Sequence, residues 1–314
     1  MNGDPMQFEE PILQIRRQIE EVSAADGDPS RLTELQEKLT KVAHDIYANL
    51  TPWQKTLVAR HPQRPYTLDF IAALFDEWIE IHGDRNFADD AAVVAGFARF
   101  RGHACAIVGH QKGRNTKEKI IRNFGQPRPE GFRKALRIMK LAEKFKVPIF
   151  SFVDTQGAYP GVGAEERGQA EAIAVNLREM AGLQVPIIIS VIGEGGSGGA
   201  LGLGVGDRVF MLEHAVYSVI SPEGCAAILW KNASAAADAA AAMRITATDL
   251  KKFGIIDEIV PEPAGGAHAD ANKAADLLGP YLEKALTELK KVKPNVLPEE
   301  RYKKFRRMGV FEKS

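Results

Sequence analysis

Two stretches near the N-terminus carry apolar residues at the spacing of a helix. They span residues 12–22 and 32–46, and an Asp-Gly-Asp-Pro segment at 26–29 separates them. Apolar positions three and four residues apart share one helical face, and Asp, Gly and Pro are typical of a turn. The pattern therefore predicts an antiparallel helical hairpin. Its narrow apolar stripe fits a docking seam on the same chain or on another subunit, and periodicity alone does not choose between them.

The central part of the chain alternates between short apolar runs and helical patterns. An amphipathic helix is predicted at residues 68–82, ended by Gly83, and a hairpin-like pair of strands follows at 93–108. Two later apolar runs, 147–153 and 185–192, both open with Val-Pro-Ile, and each leads into a glycine-containing loop. Buried strands joined by helices predict an α/β layered domain with mainly parallel pairing.

Helical patterns dominate the C-terminal part. An alanine-rich helix is predicted at residues 233–242, and Thr248 is a candidate N-cap for a short helix that Gly254 ends. A longer helix is predicted at residues 272–291. The basic segment at 301–307 is expected to be a solvated or subunit-covering tail.

The charge balance excludes a strongly charged partner for the chain as a whole. Its 314 residues contain 41 Lys and Arg and 41 Asp and Glu, so the formal net charge is zero. Any basic recognition must therefore be local. The longest uncharged stretch, residues 180–193, is shorter than the ~20 residues that span a bilayer, and the N-terminus lacks the apolar core of a signal peptide. We expect a cytoplasmic protein with no membrane or nucleic-acid partner.

The two cysteines, Cys105 and Cys225, are too distant in sequence for a CxxC zinc ribbon or a disulfide framework. Lone thiols suit a reducing compartment. No metal site is predicted in this chain.

The segment Gly-Gly-Ser-Gly-Gly at residues 195–199 is the most informative motif. It follows a predicted buried strand, which places backbone N–H groups at a helix start, where the helix dipole favours negative charge. An anionic group is expected there. The segment fits three templates: a dinucleotide-binding fingerprint, the nucleophile elbow of a serine hydrolase and a backbone oxyanion hole.

Sequence spacing disfavours the dinucleotide-binding fingerprint and the nucleophile elbow. A dinucleotide fold needs a crossover of roughly ten or more residues, and only residues 199–206 separate this loop from the next predicted strand. A hydrolase with Ser197 as nucleophile needs an acid and then a base downstream, but His214 is too close and His268 lies in a predicted surface loop.

The third template needs no side chain. Adjacent N–H groups of Gly198 and Gly199 stabilise a developing negative oxygen, which a Cβ would keep away from the backbone. A purely structural role in tight helix–strand packing also fits these glycines.

Six segments of the sequence, taken together, are more specific than the glycine motif alone. They are Gly-His-Gln-Lys-Gly-Arg at 109–114, Pro-Glu-Gly-Phe-Arg-Lys at 129–134, Gly-Ala-Tyr-Pro-Gly at 157–161, Ala-Glu-Glu-Arg-Gly-Gln at 164–169, Gly-Glu-Gly-Gly-Ser-Gly-Gly-Ala at 193–200 and Tyr-Ser-Val-Ile-Ser-Pro-Glu-Gly-Cys at 217–225. Together they closely resemble the α subunit family of bacterial acetyl-coenzyme A carboxylase carboxyltransferases, over nearly the whole chain. Gln156 departs from the family, in which many members have proline there.

The resemblance implies an α/β, crotonase-like fold of repeated ββα units with an N-terminal helical hairpin and a C-terminal helix. Residues 1–60 would form the hairpin and a subunit contact, residues 61–265 the crotonase-like carboxyltransferase domain, and residues 266–314 the C-terminal helix and basic tail. Two α and two β subunits would form a heterotetramer, with each active site between α and β.

The resemblance also implies the reaction. Carboxybiotin on the biotin carboxyl carrier protein gives its carboxyl group to acetyl-CoA, which forms malonyl-CoA for fatty acid biosynthesis, and biotin carboxylase belongs to the larger complex. Carboxybiotin and acetyl-CoA are substrates, no cofactor is expected to be covalently bound to this chain, and zinc is expected only on the β subunit.

Site residues follow from the same resemblance. Gly198 and Gly199 would hold the ureido oxygen of biotin, while amides of the partner would hold the thioester oxygen. Lys112 and Arg114 would meet CoA phosphates or an acidic carrier surface, although a solvated basic loop fits equally well. The expected substrate-binding residues are Gly157, Ala158, Tyr159, Pro160, Gly161, Gly195, Gly196, Ser197, Lys112 and Arg114. The alternatives are a self-sufficient crotonase-type acyl-CoA enzyme, a serine hydrolase and a non-enzymatic scaffold for the β subunit.

Overall fold

The computed structural model describes residues 6–25 and 28–309, and one mixed β-sheet lies at its centre. The strands are β1 (Asp76–Glu80), β2 (Val93–Phe100), β3 (His103–His110), β4 (Ile149–Thr155), β5 (Ile187–Gly196), β6 (Arg208–Leu212), β7 (Val216–Ser218) and β8 (Glu258–Val260). The helices are α1 (Glu10–Ala24), α2 (Pro29–Ala48), α3 (Pro52–Ala59), α4 (Thr67–Leu74), α5 (Thr116–Ile121), α6 (Pro129–Phe145), α7 (Val162–Glu166), α8 (Gln169–Gly182), α9 (Ser197–Leu201), α10 (Pro222–Trp230), α11 (Ala236–Met243), α12 (Ala247–Lys252), α13 (Ala271–Leu289) and α14 (Leu297–Arg306).

The sheet combines an antiparallel edge with a parallel body. Its strand order is β1-β2-β3-β4-β5-β6-β8, and β7 pairs with the end of β5. The β1–β2 and β2–β3 pairs are antiparallel, whereas the pairs from β3 onward are parallel. Every residue of β4 and β5 is buried, as expected for parallel strands covered on both faces. The predicted α/β class with mainly parallel pairing is confirmed. Within the described ranges, no helix is long and apolar enough to cross a bilayer.

The N-terminal hairpin forms as predicted, from α1 and α2. A small apolar cluster at its base, separate from the main core, contains Ile12, Ala43, Tyr47, Leu50 and Val58. The Tyr47 hydroxyl also donates a hydrogen bond to Glu9 and lies 3.2 Å from His268 Nε2. Polar contacts thus join the hairpin to the segment before α13. The role of the hairpin as a subunit contact stays a prediction.

The helix predicted at residues 68–82 is wrong over its second half. Helix α4 ends at Leu74, Phe75 has extended backbone (φ −126°, ψ 149°), and β1 follows. Ile79 of β1 stands opposite Phe97 of β2 in the antiparallel ladder. Backbone hydrogen bonding to the edge of the sheet therefore overrides the helical period of this segment.

Two predicted helix starts are also displaced. Helix α11 begins at Ala236, after a 3-10 turn whose N-cap Asn232 accepts a hydrogen bond from Ser234 N–H at 3.0 Å. The N-cap of α12 is Thr246 rather than Thr248, because the Thr246 hydroxyl accepts from Asp249 N–H at 3.3 Å. Several polar residues here are acceptable caps, and the folded backbone selects among them.

The segment at residues 301–307, expected as a solvated or subunit-covering tail, belongs largely to helix α14. Most of it is exposed, but Arg301 is only 1% exposed, so the expectation of solvation is wrong at this residue, and a subunit contact stays a prediction. Arg301 Nη2 lies 2.9 Å from Asp207 Oδ2, and Nη1 donates to the carbonyls of Met180 and Leu183 at 2.7 and 2.9 Å. The guanidinium of Arg301 is thus buried, pairs with one carboxylate and caps the end of α8. It therefore anchors helix α14.

A second buried ion pair joins the segment before α4 to the end of the sheet. Arg64 Nη2 lies 2.6 Å from Glu262 Oε1, and Arg64 Nε donates to the Ile192 carbonyl at 2.7 Å. Burial by itself would raise the pKa of the Glu262 carboxyl, but the Arg64 guanidinium outweighs this effect and lowers the pKa from 4.5 to about 2. The carboxylate is thus stabilised in its charged form.

We predict that Arg301→Ala lowers the free energy of unfolding by about 3–5 kcal/mol, because Asp207 is left buried without its cation. Urea denaturation followed by circular dichroism measures the change. The matched control is Lys303→Ala on the same helix, whose side chain is 45% exposed and whose loss should change the free energy of unfolding far less. Equal, small losses for both variants would contradict the anchoring role of Arg301.

We further predict that the Glu262–Arg64 pair makes the free energy of unfolding depend on pH in the acid range. A carboxyl whose pKa is lower in the folded than in the unfolded state stabilises the fold above its unfolded pKa. This contribution, roughly 3 kcal/mol for a shift of this size, is lost as the pH falls from 4.5 to about 2. Free energies of unfolding at several pH values should show a shallower decline in Glu262→Gln than in the wild type. The control Glu283→Gln removes an exposed carboxylate and should decline like the wild type; identical slopes for all three would refute the assignment.

Candidate active site

The ends of β4 and β5 bring the two glycine segments together. These strands are parallel neighbours, so the loops that follow them leave the same edge of the sheet. A Cβ on Gly199 would lie 2.5 Å from Ala158 N, and a Cβ on Gly196 would overlap the Gln156 carbonyl. Glycine alone permits two backbones to approach this closely. The structure thus joins two segments that were both expected to bind substrate.

Helix α9 begins where the sequence predicted N–H donors. Gly196 is its extended N-cap, and Ser197 is its first residue. The N–H groups in the first turn of a helix have no acceptor within that helix. Across the described ranges, no carbonyl in a loop, turn or cap accepts from Gly198 or Gly199 N–H. The two donors are therefore not turned toward bonded backbone carbonyls.

A cavity of about 380 Å³ opens in front of Gly198. Gly199 does not line it, because this residue is buried against the backbone of Gly157 and Ala158. The wall is apolar apart from a few hydroxyl groups. Its side chains include Ser197, Leu201, Tyr217, Val219, Phe305 and Met308. Of the two predicted oxyanion donors, Gly198 is thus the one that borders open space.

Ser197 stands at the rim of this cavity in an unusual conformation. It is exposed and has left-handed backbone with a φ of 52°, a conformation that costs about 1–3 kcal/mol in a residue other than glycine. The two bases considered for a hydrolase lie around Tyr47: the His214 ring centroid is 5.2 Å from that of Tyr47, and His268 Nε2 is 3.2 Å from its hydroxyl. A catalytic dyad with Ser197 is not formed in the described part of the chain.

Lys112 lies in a buried ion network beneath the glycine loop. Its Nζ is 2.7 Å from Asp154 Oδ1 and 3.2 Å from Glu194 Oε2, and its side chain is 12% exposed. Burial alone would lower the pKa of the ammonium group, but the two carboxylates overcome this and hold the pKa above its ordinary value. Lys112 therefore has its counter-charges inside the protein, which disfavours the predicted contact with phosphate.

Glu194 connects this network to the N-terminal region. Arg60, at the end of α3, donates from Nε to Glu194 Oε1 at 2.6 Å and from Nη1 to Glu223 Oε1 at 2.5 Å. The Glu194 N–H in turn donates to Asp154 Oδ1 at 2.9 Å. Burial would raise the pKa of Glu194, but Lys112 and Arg60 outweigh it and lower the pKa. Side chain and backbone of Glu194 are thus both held, three residues before α9.

Arg114 is also engaged within the chain. Its Nη1 donates to the carbonyls of Arg64 and Pro62 at 2.9 and 3.1 Å, and its Nη2 pairs with Asp69. The guanidinium carbon lies 4.4 Å from the centre of the Tyr66 ring. Arg114 therefore fastens the segment before α4, and its role in binding phosphate stays a prediction that this geometry does not favour.

The segment from Gly157 to Gly161 packs behind the glycine loop rather than along the cavity. Tyr159 N–H donates to the Pro127 carbonyl at 2.9 Å, and the Tyr159 carbonyl accepts from Gln169 Nε2 at 2.9 Å. Pro160 is exposed and Ala158 half-buried. Substrate binding by this segment stays a prediction, and its observed contribution is the wall against which Gly199 rests.

Sequence reasoning missed Arg60, Phe305 and Met308. Arg60 reaches Glu194 across 134 positions of sequence, and Phe305 reaches the cavity only because α14 folds back. No local spacing indicates either contact. Glu194, by contrast, lies inside the glycine motif, and its position between a buried strand and a helix start is a usable signal.

Comparisons with known proteins fit this geometry. A family model described as "Acetyl co-enzyme A carboxylase carboxyltransferase-like" matches residues 5–309. The acetyl-coenzyme A carboxylase carboxyl transferase subunit alpha of Syntrophotalea carbinolica is 54% identical over 312 residues, with 98% of each chain covered. The subunit of the same name from a Geobacillus species is 55% identical over 311 residues, which cover 98% of this chain and 96% of the relative.

Solved structures share the fold at low sequence identity. Transcarboxylase 12S superposes with a TM-score of 0.55 at 21% identity, covering 70% of this chain and 42% of that chain. The β subunit of Pseudomonas aeruginosa geranyl-CoA carboxylase gives a TM-score of 0.55 at 19% identity, covering 77% and 45%. This chain thus spans less than half the length of each of these two solved chains. The predicted crotonase-like fold is confirmed.

The predicted resemblance is confirmed along nearly the whole length, since the matches leave out neither the hairpin nor the C-terminal helices. This chain therefore belongs to the family of acetyl-coenzyme A carboxylase carboxyltransferase α subunits.

Proposed function

We propose that this chain is the α subunit of a carboxyltransferase that moves the carboxyl group of carboxybiotin to acetyl-CoA and so forms malonyl-CoA for fatty acid biosynthesis. Family membership supports the reaction. The observation that carries the assignment of the site is Gly198, which lies in the first turn of α9 and borders an apolar cavity. An uncharged ring with one oxygen acceptor is the kind of ligand that suits such a place.

In the proposed reaction the nitrogen–carboxyl bond of carboxybiotin breaks, and the released ureido nitrogen takes a methyl proton from acetyl-CoA. The enolate carbon then bonds to carbon dioxide. Negative charge develops on the ureido oxygen when the carboxyl group leaves, and the N–H group of Gly198, the residue of the pair that borders the cavity, stabilises it. One such donor contributes about 2.7–4 kcal/mol. This chain supplies no acid, base or nucleophile to the step.

We also propose the partners. A β subunit supplies the second set of amides and most of the CoA site, in a complex of two α and two β subunits, and the biotin carboxyl carrier protein and biotin carboxylase complete the enzyme in the cytoplasm. Exposed apolar side chains support a partner: Val219, at the cavity wall, is 81% exposed, and on α10 Ile228 and Leu229 are 70% and 66% exposed. Such surfaces are typical of protein interfaces. Zinc is expected on the β subunit alone.

The alternatives receive less support. The serine hydrolase lacks a base at Ser197, and a self-sufficient acyl-CoA enzyme would need cations for the CoA phosphates near the cavity, whereas Lys112 and Arg114 are paired internally. Neither alternative explains the full-length match to carboxyltransferase α subunits.

Reconstitution tests the proposal. We predict that the chain alone does not convert malonyl-CoA in the presence of biocytin, a soluble biotin derivative. Co-expression with a zinc-ribbon β subunit should produce the activity, because each active site needs amides from both chains. Chromatographic analysis of acetyl-CoA and malonyl-CoA measures it. Activity of the isolated chain would contradict the shared site.

We predict that Gly198→Val lowers carboxyl transfer by roughly 100-fold or more in the reconstituted complex, because a branched side chain at the glycine that borders the cavity disturbs the position of its N–H donor. A Cβ at Gly198 lies 3.5 Å from the Ile173 side chain, an ordinary contact, and circular dichroism of the variant checks that the fold survives the two further methyl groups of valine. Gly199→Ala is not a suitable variant, because its Cβ would overlap the neighbouring loop.

Two controls complete this test. Gly182→Val places the same side chain at a glycine whose Cβ would meet nothing within 4 Å, and it should leave the rate unchanged. Ser197→Ala should lower the rate by no more than roughly fivefold, whereas a covalent mechanism would lose almost all of it. Unchanged activity in Gly198→Val, or near-complete loss in a folded Ser197→Ala variant, would refute the assignment.

A further inference from the structure

Helix α14 completes the cavity in front of Gly198. Phe305 lies on this helix and Met308 lies just beyond its end at Arg306, and both side chains form part of the cavity wall. The helix is the last in the described part of the chain, and Phe305 is more than one hundred positions from Gly198 in sequence. A wall from so distant a segment makes the shape of the cavity depend on how α14 is held.

One face of α14 does both the anchoring and the lining. Arg301, Phe305 and Met308 are four and three positions apart, a spacing that places them on the same side of a helical path. Arg301 is buried against Asp207, and Lys304 pairs with Asp257 and also donates to the Asp207 carbonyl at 3.3 Å. These ion pairs fix the helix rotation that turns the Phe305 ring toward the cavity.

The chemistry of the wall restricts what the cavity accepts. None of its lining residues carries a charge, and its polar side chains are the hydroxyl groups of Ser197, Tyr217 and Ser218. A volume of about 380 Å³ is near the lower end of the range of roughly 300–1,000 Å³ for small-molecule sites. The cavity therefore suits a small, uncharged, largely apolar ligand and does not suit the phosphate-bearing part of CoA.

We infer that Phe305 and Met308 form the apolar wall against which the bicyclic ring of biotin packs while the Gly198 N–H meets its ureido oxygen. This inference rests on the proposed function. It adds that the C-terminal helix determines specificity for the biotin substrate and leaves the acyl-CoA substrate to other parts of the enzyme. Phe305 and Met308 are specificity residues here, and Arg301 is a positioning residue that acts through them.

Steady-state kinetics of the reconstituted αβ complex test the inference, with biocytin and malonyl-CoA varied independently. Truncation of an aromatic ring that packs against the ligand removes enough apolar contact to weaken binding about tenfold or more. We expect Phe305→Ala to raise the KM for biocytin by about that factor and to leave the KM for malonyl-CoA unchanged. Phe305→Leu should restore most of the affinity.

The matched control is Tyr302→Ala. It removes an aromatic ring from the same helix, but Tyr302 is 62% exposed and does not line the cavity. Both KM values should remain those of the wild type. If Phe305→Ala loosens the helix, as circular dichroism and thermal denaturation would show, Met308→Ala provides the same test beyond the helix end.

Three outcomes would overturn the inference. A rise in the KM for malonyl-CoA alone would assign the cavity to the acyl-CoA substrate. Unchanged constants in both Phe305→Ala and Met308→Ala would show that the wall has no ligand, and an equal effect of Tyr302→Ala would show a general structural role. If the wild-type complex lacks carboxyl transfer, the proposed function fails, and calorimetric titration of the complex with biocytin still decides whether Phe305→Ala weakens binding.

Discussion

The structure depends on a small set of charges buried beneath the glycine loop. Lys112, Asp154, Glu194 and Arg60 come from four different segments, and each cation contacts at least one carboxylate within 3.2 Å. Buried charges are tolerated only when they are paired and hydrogen-bonded. A charge can be buried here only when its partners are in place. These pairs therefore require that β3, β4, β5 and α3 are all correctly positioned relative to one another.

This requirement explains why the loop contains so many glycines. A Cβ on Gly193 would overlap the Asp154 carboxylate, and one on Gly195 would lie 2.6 Å from the Tyr217 ring. The ion network, the neighbouring loop and the aromatic ring leave room for bare backbone only. Once these neighbours are fixed, the chain direction at Glu194 is fixed as well, and α9 begins with Gly198 at the edge of the cavity.

Elements whose secondary structure depends on their own residues could be predicted from the sequence. The runs that became β4 and β5 are apolar throughout, and the glycine segments after them could be expected to meet because parallel strands end at one edge. The hairpin and α13 follow from helical periodicity. The β1 strand could not be predicted, because its pairing with β2 depends on a partner outside the segment.

The functional details divide in the same way. Gly198 was identifiable from its motif, but the engagement of Lys112 and Arg114 was not, since their partners Asp154 and Asp69 are more than forty residues distant. The sequence of α14 shows mainly its exposed basic residues, which suggested a solvated tail. Arg301 looks like its neighbours in sequence, and only the position of Asp207 reveals that it is buried.

The ion network also affects how the site responds to heat. The cost of removing charged groups from water falls as temperature rises, while the apolar contribution to stability levels off. The charges around Glu194 should therefore become less costly to bury on warming, and the loop that they support should stay ordered while contacts elsewhere weaken. The ion network beneath the glycine loop should therefore keep the start of α9 ordered at temperatures at which apolar packing alone would not.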